Sequence, residues 1–213
     1  MQSRLLVLLA ALLAGCSTPP ATEKKEPAKK AEKPKPPESY RVKLETTKGD
    51  IVIEVTRAWS PYGADHFYEL VAAGFYDNVK FHRVLKKFIA QFGINGDPNT
   101  DRLYANLKIP DDPPKEKNRR GTVAFAKLGP NSRTTEVFIN LANNAMLDTT
   151  GFTPFGKIVE GMEVADQLAY VYGELQPKGG GPDPTKIHLI GNKYLDSQYP
   201  RLDAIKKATI LTP

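Results

Sequence analysis

The chain is poor in sulfur and in long apolar runs. Cys16 is the only cysteine among 213 residues, so no intrachain disulfide can form and stability must come from a core. The longest apolar stretch, residues 5–14, would rise about 15 Å as a helix. A bilayer core is about 30 Å thick, so this stretch does not span one. One cysteine and three histidines (His66, His82, His188) offer no zinc-ligand spacing, and the acidic residues around Asp97 and Asp111 match no calcium loop. Gly179, Gly180 and Gly181 are consecutive, but no Gly-Lys-Ser/Thr follows to complete a phosphate loop. A net charge of +6 is modest. With no arginine-rich helix and no aromatic-basic interleaving, it argues against nucleic-acid binding. No metal and no cofactor are implied.

What is present begins with a targeting pattern. Arg4 precedes the apolar residues 5–14 in the layout of a secretory signal peptide. The run ends in Leu13-Ala14-Gly15-Cys16, which resembles the bacterial lipobox, where the cysteine is lipidated and becomes the new N-terminus. The expectation is a signal peptide at 1–15, lipidation at Cys16, and a lipid-anchored protein of the bacterial cell envelope, facing the periplasm. Each buried CH₂ of an acyl chain contributes about 0.8 kcal/mol, and stable anchoring takes more than one chain. Residues 17–38 hold six Pro, six Lys and four Glu, without an aromatic or large aliphatic residue. That composition cannot offset its own ordering entropy, so 16–38 reads as the lipidated cysteine and a disordered tether.

The remainder suffices for one domain with a sizeable core. Residues 40–47 alternate in polarity, residues 51–55 are β-branched and acidic, and Lys48-Gly49-Asp50 supplies a hairpin turn between them. Ser60-Pro61 looks like a helix start, with Ser60 as N-cap and Phe67, Leu70 and Val71 at helical spacing. Residues 93–120 are polar and proline-rich and read as a surface loop. Strands are expected at 121–126, 137–139 and 156–159, a second helix at 162–172, and a closing strand at 186–190. The domain is therefore placed at 39–192, and 193–213 is expected to pack outside it as an extension.

The most informative stretch runs from Phe81 to Gly93. Arg83, Leu85, Lys87 and Ile89 share a parity, which predicts a strand, a turn near Lys86-Lys87, and a second strand. Such a hairpin brings a fixed cation over an apolar floor with no evident nucleophile. Phe81-His82-Arg83 followed by Phe88-Ile89-Ala90-Gln91 resembles the cyclophilin signature, as does Gly129-Pro130-Asn131-Ser132 running on to Phe138-Ile139. The resemblance extends over about residues 40 to 195. It implies a mainly β fold, a closed eight-stranded antiparallel barrel capped by two helices, and peptidyl-prolyl cis-trans isomerase activity on Xaa-Pro segments of unfolded or flexible proteins. By the same resemblance Arg83 is the catalytic residue. Phe88, Ile89, Phe138, Leu147 and Phe152 line the proline pocket, Gln91 orients Arg83, and Ala126 and Lys127 hold the peptide through their backbone.

Four positions depart from the family. Met146 stands where cyclosporin-sensitive members have tryptophan, which predicts weak cyclosporin binding. Phe152 stands where many have histidine, after one inserted residue within 148–151. Phe92 replaces a glycine and predicts a narrower site. Glu136 replaces a glutamine and would bring a carboxylate near Arg83, tying the guanidinium down. On that last expectation rests the alternative to the enzyme, a catalytically weak proline-peptide-binding module; a chaperone whose C-terminal tail adds an apolar surface is a further alternative.

Overall fold

The computed structural model describes residues 36–211. The expected signal peptide, Cys16 and nearly all of the tether lie outside the described residues. Among those described, no helix is long and apolar enough to cross a membrane.

The chain opens with an antiparallel hairpin, β1 (Ser39–Thr46) and β2 (Gly49–Thr56). Its alternating residues Val42, Leu44, Ile51 and Ile53 are fully buried. The turn sits at Thr47-Lys48, where the Thr46 hydroxyl donates to the Gly49 carbonyl (2.6 Å). Gly49 takes a φ of 133°, which disfavours any residue with a Cβ. Helix α1 (Pro61–Ala72) follows, burying Phe67, Leu70 and Val71. Ser60 makes no side-chain cap. Asp112 caps α1 instead, its carboxylate accepting from the N–H groups of Tyr62 and Gly63 (3.0 Å each). Asp112 is itself paired with the buried Arg133 (2.9 Å).

Next come β3 (Val79–Lys80), β4 (Arg83–Leu85) and β5 (Ile89–Phe92). β4 and β5 form the expected hairpin, and Lys87 in its turn adopts a positive φ of 59°. The stretch 93–120 contains helix α2 (Pro98–Tyr104), started by Asp97, whose carboxylate accepts from the N–H of Asn99 and Thr100. An Asp N-cap before a proline at the first helical position is a readable helix start, which the loop expectation overlooked. β6 (Thr122–Phe125), β7 (Val137–Asn140), α3 (Ala145–Thr149), β8 (Pro154–Glu160) and α4 (Met162–Asp166) complete the middle of the chain. The expected helix at 162–172 is thus one short helix.

The end of the chain overturns two expectations. Residues 184–190 are helix α5 (Pro184–Ile190), again begun by an Asp-Pro pair: Asp183 accepts from the Thr185 N–H (2.9 Å). They do not supply the closing strand. Helix α6 (Asn192–Gln198) follows, and the last strand is β9 (Ala204–Leu211), hydrogen-bonded between β3 and β1. Residues 193–213 therefore do not pack outside a domain ending at 192, because β9 belongs to the sheet. Its pairing with β1 and the full burial of Ile205 outweigh the β-like composition of 186–190.

The strand order is β3-β9-β1-β2-β8-β6-β7-β5-β4, all antiparallel. This is an open, nine-stranded half-barrel with six helices among the described residues, where a closed eight-stranded barrel with two was expected. The two short strands β3 and β4 end the ladder on opposite edges. Only Phe81 and His82, both buried, separate them along the chain.

Candidate active site

Four strands set the site through their register. Arg83 lies opposite Gln91, Gln91 opposite Phe138, and Phe138 opposite Ala124, so one row crosses β4, β5, β7 and β6 on a single face. The next row, Val84, Ala90, Ile139 and Val123, points into the main core. The period of two thus separates a packed interior from a second apolar cluster made of Ile89, Ala124 and Phe138. Phe88, Ala126, Leu147 and Phe152 pack against that cluster, half-buried.

Above it lies a cavity of about 420 Å³. All nine residues expected from the sequence line it: Arg83, Phe88, Ile89, Gln91, Ala126, Lys127, Phe138, Leu147 and Phe152. The rings of Phe138 and Phe152 meet edge to face at 5.6 Å, and the Arg83 guanidinium carbon stands 6.0 Å from the Phe88 ring centre. The Lys127 ammonium is bound to Asp111 (3.0 Å) and lies 5.9 Å from the Phe152 ring centre. The Ala126 N–H donates to the Glu136 carbonyl (2.8 Å).

The polar side of the cavity is a connected network. Arg83 donates through Nη1 to Gln91 Oε1 (3.0 Å), and Gln91 Nε2 donates to Glu136 Oε2 (2.7 Å). The same Glu136 oxygen meets His82 Nε2 at 3.1 Å. Burial favours the neutral form of the Glu136 carboxyl, but the hydrogen bonds to His82 and Gln91 outweigh it and hold the group below its ordinary range. Glu136 thus holds His82 and Gln91 and does not tie down Arg83. That removes the reason for a binding module inactivated by Glu136.

A different carboxylate holds Arg83. Glu174 accepts from Arg83 Nε on Oε1 and from Nη2 on Oε2, both at 2.6 Å, in a bidentate fork. The ion pair holds the Glu174 carboxyl below its ordinary range. Nothing in the sequence singled out Glu174, 91 residues from Arg83, or its neighbour Leu175, which also lines the cavity. Phe92, expected to narrow the site, points the other way and packs between Tyr76 and Phe81 in the main core. Met146 is largely exposed on α3 and does not line the cavity.

The chain is similar to several known proteins. The family model for "Cyclophilin type peptidyl-prolyl cis-trans isomerase/CLD" matches residues 41–188. Peptidyl-prolyl cis-trans isomerase CYP18-2 of Arabidopsis thaliana is 38% identical over 168 residues, covering 76% of this chain and 95% of the relative. Peptidyl-prolyl cis-trans isomerase A of Dickeya dadantii is 35% identical over 142 residues, 64% of this chain and 74% of that one. The crystal structure of a Cryptosporidium parvum cyclophilin-type isomerase shares the fold, with a TM-score of 0.59 at 24% identity over 82% of this chain and 99% of that one. With that match across most of its length, and an arginine set over an apolar pocket, the chain belongs to the cyclophilin-type peptidyl-prolyl cis-trans isomerases.

Proposed function

We propose that Arg83 is the catalytic residue and that it acts by stabilising the twisted prolyl amide. The barrier to rotation about a peptide bond is about 18–20 kcal/mol, because the nitrogen lone pair is shared with the carbonyl. As the amide twists, the lone pair localises on a pyramidal prolyl nitrogen. A donor aimed there binds the transition state better than the ground state, which is the condition for catalysis. The observation that carries this reading is the placing of Arg83 at the edge of an apolar cluster, held by Gln91, with N–H groups still available. Ile89, Phe138, Phe88, Leu147 and Phe152 would grip the pyrrolidine ring, and the Ala126 carbonyl and Lys127 backbone would hold the flanking peptide.

Arginine suits the task because its guanidinium keeps its proton and offers five directed donors. A Cryptosporidium parvum cyclophilin of similar fold was crystallised in the presence of the dipeptide Ala-Pro, which makes an Ala-Pro peptide the natural probe. Exchange NMR of a short Ala-Pro-Phe peptide with the full chain in detergent tests the reading. Wild type should accelerate exchange, and Arg83→Ala should lose at least tenfold, about 1.4 kcal/mol of transition-state stabilisation. Binding without acceleration would leave a proline-binding module.

The N-terminal pattern completes the proposal: an envelope folding catalyst anchored through lipidated Cys16. Arg4, the apolar run 5–14 and Leu13-Ala14-Gly15-Cys16 support it. Labelled palmitate should be incorporated by the wild type and not by Cys16→Ser, and label retained by the variant would overturn the anchor. Cyclosporin binding should be weak, since Met146 offers no indole donor. Titration calorimetry showing tight binding would contradict this.

A further inference from the structure

The triple glycine and its loop, which fit no phosphate-binding pattern, have a different use. We propose that Glu174, carried on the loop 173–183, is the positioning residue for Arg83, and that the loop is built to hold it there. This inference rests on Arg83 being the catalytic group.

The guanidinium is divided between two partners. Of its five N–H groups, three are engaged: Nε and one on Nη2 with Glu174, one on Nη1 with Gln91. The two acceptors come from different elements, Gln91 from the neighbouring strand and Glu174 from the loop. Held at all three nitrogens, the group cannot swing about its long stem, yet two N–H groups have no acceptor among the described residues, on a side chain that lines the cavity. A carboxylate placed to block the site would have to cover those two as well.

The loop is built around Glu174. A Cβ on Gly179 would stand 2.5 Å from the Glu174 carbonyl oxygen, and one on Gly181 would stand 2.7 Å from it. Neither fits. Gly180, between them, has only the Tyr172 oxygen at 4.0 Å. Two of the three glycines are therefore required by close approach to Glu174 itself, and the Gly181 N–H donates to the Glu174 carbonyl (2.8 Å). The Leu175 N–H donates to Glu174 Oε1 (2.9 Å), fixing the carboxylate from its own backbone.

Two tyrosines anchor the loop. Tyr199 donates its hydroxyl hydrogen to the Gly181 carbonyl (3.0 Å) and accepts from Gln176 Nε2 (3.0 Å). The Tyr194 hydroxyl accepts from the Asp183 N–H (3.1 Å). Tyr194 and Tyr199 belong to a separate apolar cluster with Ile94, Ile187, Leu195 and Leu202. A loop fastened in this way is a fixed support for Glu174, unlike a hinged flap.

The test compares Glu174→Ala, Glu174→Gln, Gly179→Ala and Gly180→Ala with Arg83→Ala, all in the full chain. kcat and KM for the Ala-Pro-Phe peptide are read by NMR lineshape analysis, and Arg83 Nε–Hε by its ¹⁵N–¹H signal. Melting curves accompany each variant. Glu174→Ala should lower kcat about tenfold with KM within threefold of wild type, and should speed solvent exchange of Arg83 Nε–Hε. Glu174→Gln, which keeps an acceptor, should fall between. Gly179→Ala should reproduce the loss with the carboxylate still present, while Gly180→Ala should match wild type. A kcat unchanged within twofold in Glu174→Ala, despite faster exchange, overturns the proposal. A rise in kcat overturns it too, because Glu174 would then be a brake. Full activity in Arg83→Ala would instead remove the mechanism underneath, whatever the Glu174 variants do.

Discussion

The two sides of the Arg83 guanidinium are held by very different structures. On one side Gln91 lies directly opposite on the neighbouring strand, eight residues away, and meets Arg83 because a tight hairpin leaves no other register. On the other side Glu174 arrives from a loop that needs two closely approaching glycines, three tyrosine hydrogen bonds and a second apolar cluster to reach the same group. The hairpin side is local and follows from the strand period. The loop side depends on contacts between segments far apart in sequence, and its chemistry is unreadable until the chain is folded.

The largest effect is expected from ending the chain at residue 192. The deletion removes β9 and the buried Tyr194, Leu195, Tyr199, Leu202 and Ile205. Each such apolar side chain contributes about 1.5–3 kcal/mol on burial, against a total stability of about 5–15 kcal/mol. The shortened chain should show no cooperative melt and no near-ultraviolet dichroism, and a sharp transition would mean the hairpin side folds alone. Phe138→Ala tests the hairpin side itself. Phe138 is 3% exposed, so truncation should cost about 3 kcal/mol in urea unfolding and raise KM. A midpoint unchanged within error would separate the pocket floor from the fold.

Tyr199→Phe probes the loop side gently. It deletes one hydroxyl that serves both Gln176 and Gly181, which should cost about 1 kcal/mol. Faster exchange at Arg83 Nε–Hε should accompany it. Unaltered exchange would show that the tyrosines do not support the loop. The smallest effect concerns His188 on α5, whose Nδ1 lies 2.6 Å from the buried Asp101. That hydrogen bond raises the imidazole above its ordinary 6.5. A raised folded value adds stability that is complete below 6.5 and disappears as pH rises through the higher folded value. The melting temperature of wild type minus His188→Gln should therefore be greatest near about pH 6 and shrink in alkali. A difference independent of pH would show that the pair is not ionic.

The legible part of the site rests on two signals. Alternation places Arg83 and Ile89 on one face, while Gln91 and Phe138 were expected there from the resemblance to cyclophilins, and the strand registers bring all four to the cavity wall. Residues 186–190 misled because Ile187, Leu189 and Ile190 suit a strand, while the local signal that mattered was Asp183-Pro184 starting a helix. The competitor for the strand position, β9, carries Lys206 and Lys207 and has a weaker apolar pattern, yet it pairs with both β1 and β3. Asp112 and Glu174 were silent for the same reason. An acidic residue in a polar stretch gives no hint of whether it will cap a distant helix or grip a distant arginine.

The position of β9 also bears on how the protein is made. Its partners β1 and β3 leave the ribosome early, and the register that joins them pairs Arg41 with Leu211. Contacts so far apart in sequence are slow to form, and synthesis runs at about 5–20 residues per second. Until the last strand emerges, β1 and β3 have no common neighbour, and α6 is absent or newly made. The nascent chain, itself rich in proline, must therefore manage its own slow prolyl bonds without the catalyst it is about to become. Ribosome-bound chains halted before residue 204 should leave Ala-Pro-Phe exchange at the uncatalysed rate.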